Sequence, residues 1–588
     1  MTLVGRFLPL LLLVALAVAP LLLPEFHVTL LNYIGLYALV ALGLVILTGV
    51  GGVTSFGQAA FVGLGAYTSA YLTTVHGLSP WLTLPVGLAL TTVVALTLGL
   101  VTLRLSGHFL PLGTIAWGIS LYFLFGNLDA LGGHTGMGGL PPLRLGDYEL
   151  KSGQEYFYLI WLALLLAVFA TRNLLDSREG RAVRALKGGS VMAEAMGVHT
   201  PRAKIVVFTL AALLASLSGW LYAHLQRFVN PTPFSLTQGI EYLFMAVVGG
   251  VSHVWGAIVG AGLITLLKQW LQDGLPRLLG ESGNFEMIVF GVLMIVVLQR
   301  ARDGVWPLLQ RIFPPPPVRI PAGEVEPLPR RPRPAAGEVL LEVKQATKYF
   351  GGLCANDQVS FDVRAGEVMA LIGPNGAGKS TLFDGISGVE PLTSGAVHFR
   401  GEPVEKLPAR EIARRGLSRT FQHVRLLPAM SVLENVAIGA HLRGRQGLLA
   451  AACRADRVEE ARLLREAARQ LERCGLAEHF GSAAGSLPLG KQRLVEIARA
   501  LAADPCLLLL DEPAAGLRYL EKQALDDLLR RLRDEGIGIL LVEHDMDFVM
   551  GLADRVVVIE FGRKLATGRP DEIQRHPAVV QAYLGGVE

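Results

Sequence analysis

Charge and cysteine are the two things that this chain has in short supply. Only 17% of its 588 residues are charged, which is well below the roughly 25% of soluble domains. A wholly soluble protein is therefore excluded. The net charge is only +4, an excess that the cytoplasmic edges of membrane segments explain. We therefore predict no nucleic-acid partner.

Cysteine is absent from the first half of the sequence. The four cysteines, Cys354, Cys453, Cys474 and Cys506, all lie in the second half and form no C-x-x-C pair. This spacing argues against a structural metal site and against a disulfide framework. It is typical of a protein whose soluble part lies in a reducing compartment.

Apolar sequence, by contrast, is abundant, and it is concentrated in residues 1–300. Several apolar runs there approach the roughly 20 residues needed to span a membrane, whereas residues 338–588 have ordinary charge density. We predict a polytopic α-helical membrane domain over 1–309 and a soluble domain over 338–588. The proline-rich stretch 310–337 between them is predicted to be a semi-rigid linker, because it cannot pack a core.

The apolar runs predict about ten membrane crossings. The first follows Arg6, and we interpret it as a retained span rather than a signal peptide, because no cleavage site is evident and another apolar run begins at Val28. The predicted crossings are 7–23, 29–50, 56–75, 81–103, 109–127, 156–171, 204–226, 238–251, 253–271 and 285–299.

The charges orient these crossings. Residues 172–204 are rich in arginine and lysine, so the positive-inside rule predicts that this loop is cytoplasmic and that 127–155 lies outside. Within the loop, residues 178–198 alternate cationic and small apolar side chains at helical spacing. Such a helix either lies on anionic membrane lipid or docks on the soluble domain as a coupling helix, which is the use we favour.

Two polar residues, Ser55 and Gln58, lie in a predicted crossing among small residues. The small residues can be explained by close helix packing. A polar side chain in hydrocarbon, however, needs a partner or a water-lined path, so Ser55 and Gln58 are candidate pathway residues. Glu241 and Lys268 are similar candidates, unless they lie at a membrane boundary.

The soluble half contains a phosphate-loop pattern, G-x-x-x-x-G-K-[ST], between an apolar run of strand length and a plausible helix. Glycines let successive backbone N–H groups converge on a polyphosphate. Lys379 would add a charge at the β- and γ-phosphates, and Ser380 would offer a hydroxyl to Mg²⁺. The predicted nucleotide-binding residues are Gly373, Pro374, Asn375, Gly376, Ala377, Gly378, Lys379, Ser380 and Thr381.

Further polar residues follow predicted strands in the same half. Gln422 could reach Mg²⁺ and the attacking water. Asp511 and Glu512 end a strongly apolar run, where Asp511 could hold Mg²⁺ through water and Glu512 could act as general base. His544 ends a second such run and could contact a γ-phosphate.

These motifs, taken in order with Ser486–Arg493 after Gln422, resemble the nucleotide-binding domain of ABC transporters across residues 340–588. The resemblance implies an α/β P-loop fold and two domains that enclose two ATP molecules head to tail with Mg²⁺. It implies that Phe350, or failing that Tyr349, stacks on adenine. The implied catalytic residues are Glu512, His544 and Gln422; the implied Mg²⁺ residues are Ser380, Gln422 and Asp511.

Within that family, the segments 420–426, 511–517, 542–546 and 582–585 are similar to the ATPase of high-affinity branched-chain amino acid importers. The membrane half resembles a permease of those systems, on residues 55–58, 63–67 and 178–198. The chain thus resembles a permease fused to its ATPase in a bacterial inner membrane. The resemblance implies a second permease, a second ATPase and an extracytoplasmic solute-binding protein as partners.

Two departures from the family pattern stand out. The signature L-S-G-G-Q is replaced here by Leu487-Pro488-Leu489-Gly490-Lys491, so the serine that would face the partner's γ-phosphate is absent. Arg518 stands where asparagine or aspartate is common. The signature residues implied to face the partner's ATP are Leu487, Gly490, Lys491 and Gln492.

The function predicted from these features is ATP-driven import of branched-chain or related amino acids. Two alternatives remain open from the sequence. A related system could import urea or short amides, or could work in export. A membrane-tethered ATPase without transport would keep the nucleotide site and lose the pathway.

Overall fold

The structure is a computed structural model that describes residues 3–105, 107, 109–279, 285–300, 303–310 and 325–584. The contacts divide the chain into two compact units. The first contains Met1–Leu175 and Pro201–Pro316, and the second contains Asp176–Thr200 and Pro317–Glu588. The basic loop between two membrane helices therefore belongs to the second unit.

The described residues between 3 and 310 are mainly helical, because a helix satisfies its backbone hydrogen bonds internally in an apolar environment. A π-helical turn, Val45–Val50, extends the second helix. The helices are α1 Leu3–Leu22, α2 Glu25–Leu44, α3 Gln58–Thr74, α4 Pro80–Thr102, α5 Phe109–Asn127, α6 Gly153–Leu175, α7 Arg178–Ala185, α8 Ser190–Ala195, α9 Thr200–Gln226, α10 Leu236–Gly250, α11 Val254–Leu279, α12 Phe285–Arg300 and α13 Trp306–Gln310.

Four two-residue strands lie among these helices. They are β1 Met137–Gly138, β2 Arg144–Leu145, β3 Tyr148–Glu149 and β4 Phe228–Val229. β1 pairs with β4 and β2 pairs with β3, both antiparallel. β1, β2 and β3 fall in the stretch 127–155 that the charge pattern predicts to lie outside.

Among the residues that the structure describes, six helices are long and apolar enough to cross a membrane, namely Glu25–Val50, Pro80–Thr102, Phe109–Asn127, Gly153–Leu175, Thr200–Gln226 and Val254–Gly274. The other four predicted crossings coincide with α1, α3, α10 and α12, which do not meet the same criterion in the described ranges. The number of about ten crossings is therefore not confirmed. α3 and α10 have 17 and 15 residues, fewer than the roughly 20 of a full span.

Glycines bring α3 and α9 into backbone contact. A Cβ on Gly65 would lie 2.2 Å from the Ser216 carbonyl oxygen, and one on Gly219 would lie 1.9 Å from that of Val62. Any larger residue would push the helices apart, as expected for small residues at a helix interface. Close packing thus accounts for the small residues of α3.

The second unit alternates strands with helices. Its strands are β5 Val339–Phe350, β6 Leu353–Arg364, β7 Val368–Ile372, β8 Ser394–Phe399, β9 Glu402–Pro403, β10 Leu417–Arg419, β11 Leu507–Asp511, β12 Gly538–Val542, β13 Arg555–Glu560 and β14 Arg563–Gly568. Its further helices are α14 Lys379–Ile386, α15 Ala409–Arg415, α16 Val432–Gly439, α17 Leu448–Ala452, α18 Arg457–Arg473, α19 Leu489–Ala502, α20 Tyr519–Asp534, α21 Met546–Leu552, α22 Pro570–Gln574 and α23 Pro577–Leu584.

A six-stranded sheet forms the centre of this unit, in the order β10-β11-β12-β7-β13-β14. Its first five strands are parallel and β14 is antiparallel. Apolar clusters cover both faces: Leu508 and Leu510 of β11 point into one, and Leu507 and Leu509 into the other. Burial on both faces explains the continuous apolar runs, and the predicted α/β fold is confirmed.

A second sheet, ordered β6-β5-β8-β9, is antiparallel. Residues 325–336, ahead of β5, have no regular structure, yet they are held on the sheet domain. Arg333 forms an ion pair with Asp504 at 2.8 Å, and the Arg331 guanidinium donates to the Arg414 carbonyl oxygen at 2.9 Å. Residues 311–324 of the predicted linker lie outside the described residues, so the domain boundaries at 309 and 338 stay a prediction.

Candidate functional site

The phosphate loop joins β7, in the middle of the sheet, to α14. Two of its glycines cannot be replaced without moving the backbone. A Cβ on Gly373 would lie 2.1 Å from the Ile559 carbonyl oxygen; Gly378 has φ +93°, and its Cβ would lie 2.2 Å from the Ala355 carbonyl oxygen. The close fit leaves the loop's backbone as the surface that a ligand would meet.

Lys379, the first residue of α14, is buried against this loop. Its ammonium donates to the carbonyl oxygens of Gly373 and Pro374 at 2.8 and 2.9 Å. Burial lowers the pKa of Lys379, while the nearby carboxylates of Glu512 and Asp511 oppose that shift. The loop therefore carries a positive charge opposite two carboxylates.

Four neighbouring parallel strands, β10, β11, β12 and β7, end at the same edge of the sheet. The chain places a predicted site residue just after three of them, namely Gln422, Glu512 and His544, and the phosphate loop after the fourth. The carboxyl edge of a parallel sheet is where α/β proteins bind ligands. Sheet topology thus gathers motifs that are up to about 170 residues apart in sequence, from Gly373 to His544.

Glu512 stands at the centre of this group. Its Oε1 accepts a hydrogen bond from Gln422 Nε2 at 2.9 Å and lies 3.1 Å from His544 Nε2. Glu512 also has φ +48°, in the left-handed region that non-glycine residues rarely adopt. Such backbone strain is concentrated at functional sites, and here it turns the carboxylate toward the two neighbours.

Asp511 presents an unsatisfied acceptor next to Glu512. The residue is 3% exposed, and its Oδ1 has no hydrogen-bond partner in the part of the chain that the structure describes. Burial raises the pKa of Asp511 to about 6, with Arg419 opposing and Glu512 adding to the rise. A buried, unpaired carboxylate oxygen fits a bound cation.

No group of three or more His, Cys, Asp and Glu side chains that could hold a metal occurs in the described ranges. That is compatible with Mg²⁺, which usually takes one or two carboxylates together with substrate phosphates. The closely packed backbone at Gly373 and Gly378 and the unpaired Oδ1 of Asp511 together fit a magnesium nucleotide. Ser380, also predicted to contact the metal, follows Lys379 in the first turn of α14.

Glu543 is a site residue that the sequence analysis missed. It is buried, its Oε1 accepts from the Ala514 backbone N–H at 2.6 Å, and its Oε2 accepts from that of His544 at 3.1 Å. It therefore ties the segment after Glu512 to the end of β12 and positions two predicted catalytic residues. A carboxylate directly after a fully apolar strand was the available signal.

The signature residues lie around the start of α19. Gln492 Nε2 donates to the Leu487 carbonyl oxygen at 2.7 Å, and Lys491 Nζ lies 2.8 Å from His479 Nε2. A Cβ on Gly490 would meet Glu521 Oε2 at 2.9 Å. In the described residues these contacts join the signature to its own surroundings and not to the phosphate loop of the same chain.

The two candidates for adenine stacking, Tyr349 and Phe350, end β5 and are 46% and 47% exposed. Lys348 Nζ lies 4.8 Å from the centroid of the Phe350 ring. Tyr583 of α23 was quoted only as part of a family motif, yet it reaches the backbone of Gly373. Burial raises the pKa of its hydroxyl to about 12, with that contact opposing.

The basic segment 176–200 docks on the nucleotide-binding part of the second unit. Arg181 is 3% exposed and forms a two-pronged ion pair with the buried Glu460 of α18, with Nη2 to Oε2 at 3.0 Å. Arg184 pairs with Glu434 at 3.0 Å. Arg178 donates to the carbonyl oxygens of three residues, His441, Gly444 and Gln446.

The docked segment also contacts the chain that follows Gln422. A Cβ on Gly188 would lie 3.3 Å from Leu427 Cδ2, and one on Gly189 would lie 3.6 Å from Arg425 Nη1. The Arg425 backbone N–H donates to Glu496 of α19 at 2.9 Å. The residues between Gln422 and Leu427 therefore touch both the signature helix and the docked segment.

The candidate pathway residues of the first unit, Ser55 and Gln58, are each 1% exposed and face each other, with Gln58 Nε2 3.5 Å from Ser55 Oγ. Gln58 Oε1 has no hydrogen-bond partner in the described part of the chain. A narrow cleft beside them is lined by Ser55, Thr102 and Thr114 among apolar residues. The structure thus brings both residues together in a buried place.

Replacing Gly378 with alanine should weaken nucleotide binding by about ten-fold or more, because the new Cβ collides with backbone and the residue needs a left-handed φ. The measurement is fluorescent ATP-analogue binding to the purified chain. Gly352→Ala is the matched control, since a Cβ there meets nothing within 4 Å. Wild-type affinity in Gly378→Ala would contradict the assignment of this loop.

Comparison with known families matches both halves of the chain. Residues 26–298 match a family described as branched-chain amino acid transport system, permease component. Residues 356–515 match the ABC transporter family, and 563–588 match the branched-chain amino acid ATP-binding cassette transporter family. The permease match and the apolar helices make this a membrane protein, whose ABC domain hydrolyses ATP.

Two relatives of the ATP-binding part agree with the family matches. The chain is 45% identical over 249 residues to the high-affinity branched-chain amino acid transport ATP-binding protein LivG of Salmonella typhimurium, covering 42% of this chain and 98% of LivG. It is 42% identical over 249 residues to the corresponding protein BraF of Pseudomonas aeruginosa, with the same coverage. A nucleotide-free ATP-binding cassette from an ABC transporter is 32% identical, with a TM-score of 0.38, over 42% of this chain and 98% of that one.

The ATPase half of this chain matches 98% of the length of LivG and of BraF. The permease family matches the other half. The chain belongs to the branched-chain amino acid ABC transporter family and carries a permease part and an ATP-binding part of that family in one polypeptide.

Proposed function

We propose that the chain imports branched-chain or closely related amino acids across the bacterial cytoplasmic membrane, using ATP hydrolysis in its cytoplasmic domain. The observation that carries this proposal is the docking of residues 176–200 on that domain. This segment connects α6 to α9, two apolar helices. An ATPase that was merely tethered would not need a buried ion pair to such a segment.

In the proposed nucleotide site, the backbone of Gly373–Thr381 and Lys379 hold the phosphates of ATP, and Phe350 stacks on adenine. Mg²⁺, held by Ser380, Gln422 and Asp511, offsets the negative charge of the phosphates when it is bound. These roles are supported by the closely packed glycines of the phosphate loop and by the unpaired Asp511 oxygen.

Glu512 is the proposed general base, which accepts a proton from the water that attacks the γ-phosphate. Gln422 and His544 hold its carboxylate from two sides and are placed to contact that water and the phosphate. Because the donors are fixed before reaction, little reorganisation is needed. Glu543 supports this arrangement by accepting hydrogen bonds from the backbone N–H groups of Ala514 and His544.

We further propose that a second ATPase completes each nucleotide site. In that dimer Leu487, Gly490, Lys491 and Gln492 face the partner's ATP. The signature lacks a serine, and Arg518, which precedes α20, stands at the neighbouring turn. The two composite sites then differ in chemistry, so one is expected to hydrolyse ATP faster than the other.

The membrane part is proposed to cross about ten times over 1–309, with the shorter helices α3, α10 and α12 and the first helix α1 added to the six long ones. Residues 310–337 then form the linker and 338–588 the nucleotide-binding domain. An even number of crossings between residues 204 and 299 keeps both the loop 172–204 and the ATPase on the cytoplasmic side. A second permease and an extracytoplasmic solute-binding protein complete the importer, and Ser55 and Gln58 line its pathway.

The proposal is tested by uptake of labelled L-leucine in cells that lack their own branched-chain amino acid uptake and express this chain with its partner subunits. We expect uptake in wild type and about 100-fold less in Glu512→Gln. Glu472→Gln, an exposed carboxylate of α18, is the matched control. Uptake of labelled urea instead of leucine would favour the amide alternative, and equal uptake in both variants would contradict coupling to hydrolysis.

A further inference from the structure

Ion pairs between membrane helices are rare, and the first unit contains one between α10 and α11. Lys268 Nζ donates to Glu241 Oε1 at 2.8 Å, and their side chains are 42% and 14% exposed. Lys268 lies inside the candidate span Val254–Gly274. Charged groups in such a segment are costly and mark solute or ion sites by default.

A cleft opens beside this ion pair, between α2, α10 and α11. Its volume is about 190 Å³, smaller than the roughly 300–1,000 Å³ of pockets for drug-sized ligands, so it suits only a small solute. Leu30, Met245 and Ile264 supply apolar surface. Thr265 also lines it, and the Thr265 Oγ1 is buried without a hydrogen-bond partner in the described residues.

We propose that this cleft binds a free amino acid as a zwitterion on its way through the permease. The solute's ammonium group lies at Glu241, its carboxylate at Lys268 with a further hydrogen bond from Thr265, and its side chain against Leu30, Met245 and Ile264. The inference rests on the proposed function, because it presupposes that the cargo is an amino acid.

The charges favour this class of ligand over others. A zwitterion has no net charge, so its entry replaces one ion pair with two and leaves no buried charge uncompensated. Urea and short amides carry neither charge and would leave the Lys268–Glu241 pair closed. The cleft beside Ser55 has no charged side chain in its lining and could not recognise the two charged groups in this way.

The position of the cleft along the helices agrees with a role in uptake. Glu241 lies in the second turn of α10, near its beginning. Lys268 lies in the second half of α11, the next helix along the chain. With four crossings after residue 204, the beginning of α10 and the end of α11 face the extracytoplasmic side. A solute released by a binding protein would therefore meet this cleft early in its path.

The test uses the complete transporter in cells and compares Glu241→Gln, Lys268→Met and the exchanged pair Glu241→Lys/Lys268→Glu. Initial uptake of labelled L-leucine and basal ATP hydrolysis in membranes are measured for each. We expect either single variant to lose about ten-fold or more of the uptake rate, since each removes a charge-assisted hydrogen bond, while basal hydrolysis is unchanged. Ser120→Ala, an exposed position of α5, is the control.

The exchanged pair separates recognition from simple helix packing. It restores the ion pair and membrane abundance, but an L-amino acid that reverses its charged ends would turn its side chain away from the apolar wall. We therefore expect uptake to stay low. Uptake near the wild-type rate in the exchanged pair or in both single variants would overturn the site. Absence of leucine uptake in wild type would instead overturn the proposed function, and the cleft proposal with it.

Discussion

Glu512→Gln stops ATP turnover but leaves ATP binding intact, with an expected fall in hydrolysis of about 100-fold to 10,000-fold, the range that a lost general base produces. The amide keeps the shape of the side chain and can still contact Gln422 and His544. It cannot accept the proton of the attacking water. The measurement is phosphate release by the purified chain with its partner subunits, alongside binding of a fluorescent ATP analogue.

The neighbours of Glu512 should be less sensitive than Glu512 itself. Gln422→Ala removes one hydrogen bond of 2.9 Å to the carboxylate, and we expect a fall of about ten-fold. Glu472→Gln controls for the loss of a carboxylate elsewhere in the same domain. Hydrolysis above about a tenth of the wild-type rate in Glu512→Gln would assign the base to another residue.

Arg181→Glu separates hydrolysis from transport. The variant places a carboxylate against the buried Glu460, and breaking such a buried pair costs about 3–5 kcal/mol. The docked segment 176–200 then leaves its site, and leucine uptake should fall by about 100-fold. ATP hydrolysis continues, because neither residue touches Glu512 or the phosphate loop.

The exchanged variant Arg181→Glu/Glu460→Arg shows whether the pair itself is responsible. It re-forms an ion pair of opposite polarity, so uptake should recover to within about ten-fold of wild type. Arg454→Glu, an exposed charge reversal between α17 and α18, is the matched control. Failure of hydrolysis together with uptake in Arg181→Glu would point to misfolding of the ATPase domain rather than to uncoupling.

Much of the nucleotide site could be predicted from local patterns. A glycine loop between a strand and a helix, and carboxylates at the ends of apolar strands, each have one dominant physical explanation, and parallel sheet topology then gathers Gln422, Glu512 and His544. The roles of these residues stay predictions until they are tested by substitution. The position of Glu543 after an apolar strand was a signal of the same kind, but its contacts were not foreseen, since one partner, the Ala514 backbone N–H, lies far away in the sequence.

Contacts between residues far apart along the chain were the main part of the structure that the sequence did not predict. Arg181 and Glu460 are separated by 279 residues, and nothing in either local sequence names the other. The number of crossings was uncertain for another reason. α3 and α10 are short and glycine-rich, and they are stabilised by close contact with neighbouring helices, a property that hydropathy along one segment does not report.

The contacts of Arg331 and Arg333 with the ATPase domain have a consequence for assembly. These contacts hold residues 325–336 on that domain. Only a short stretch of sequence separates them from Gln310 at the end of α13, and a chain of that length reaches at most about 45 Å at about 3.1 Å per residue. A short tether of this kind gives an effective concentration in the millimolar range. Docking of the Arg181 segment can then persist with an intrinsic dissociation constant no better than about a millimolar, and dilution of the transporter does not separate this ATPase from its permease.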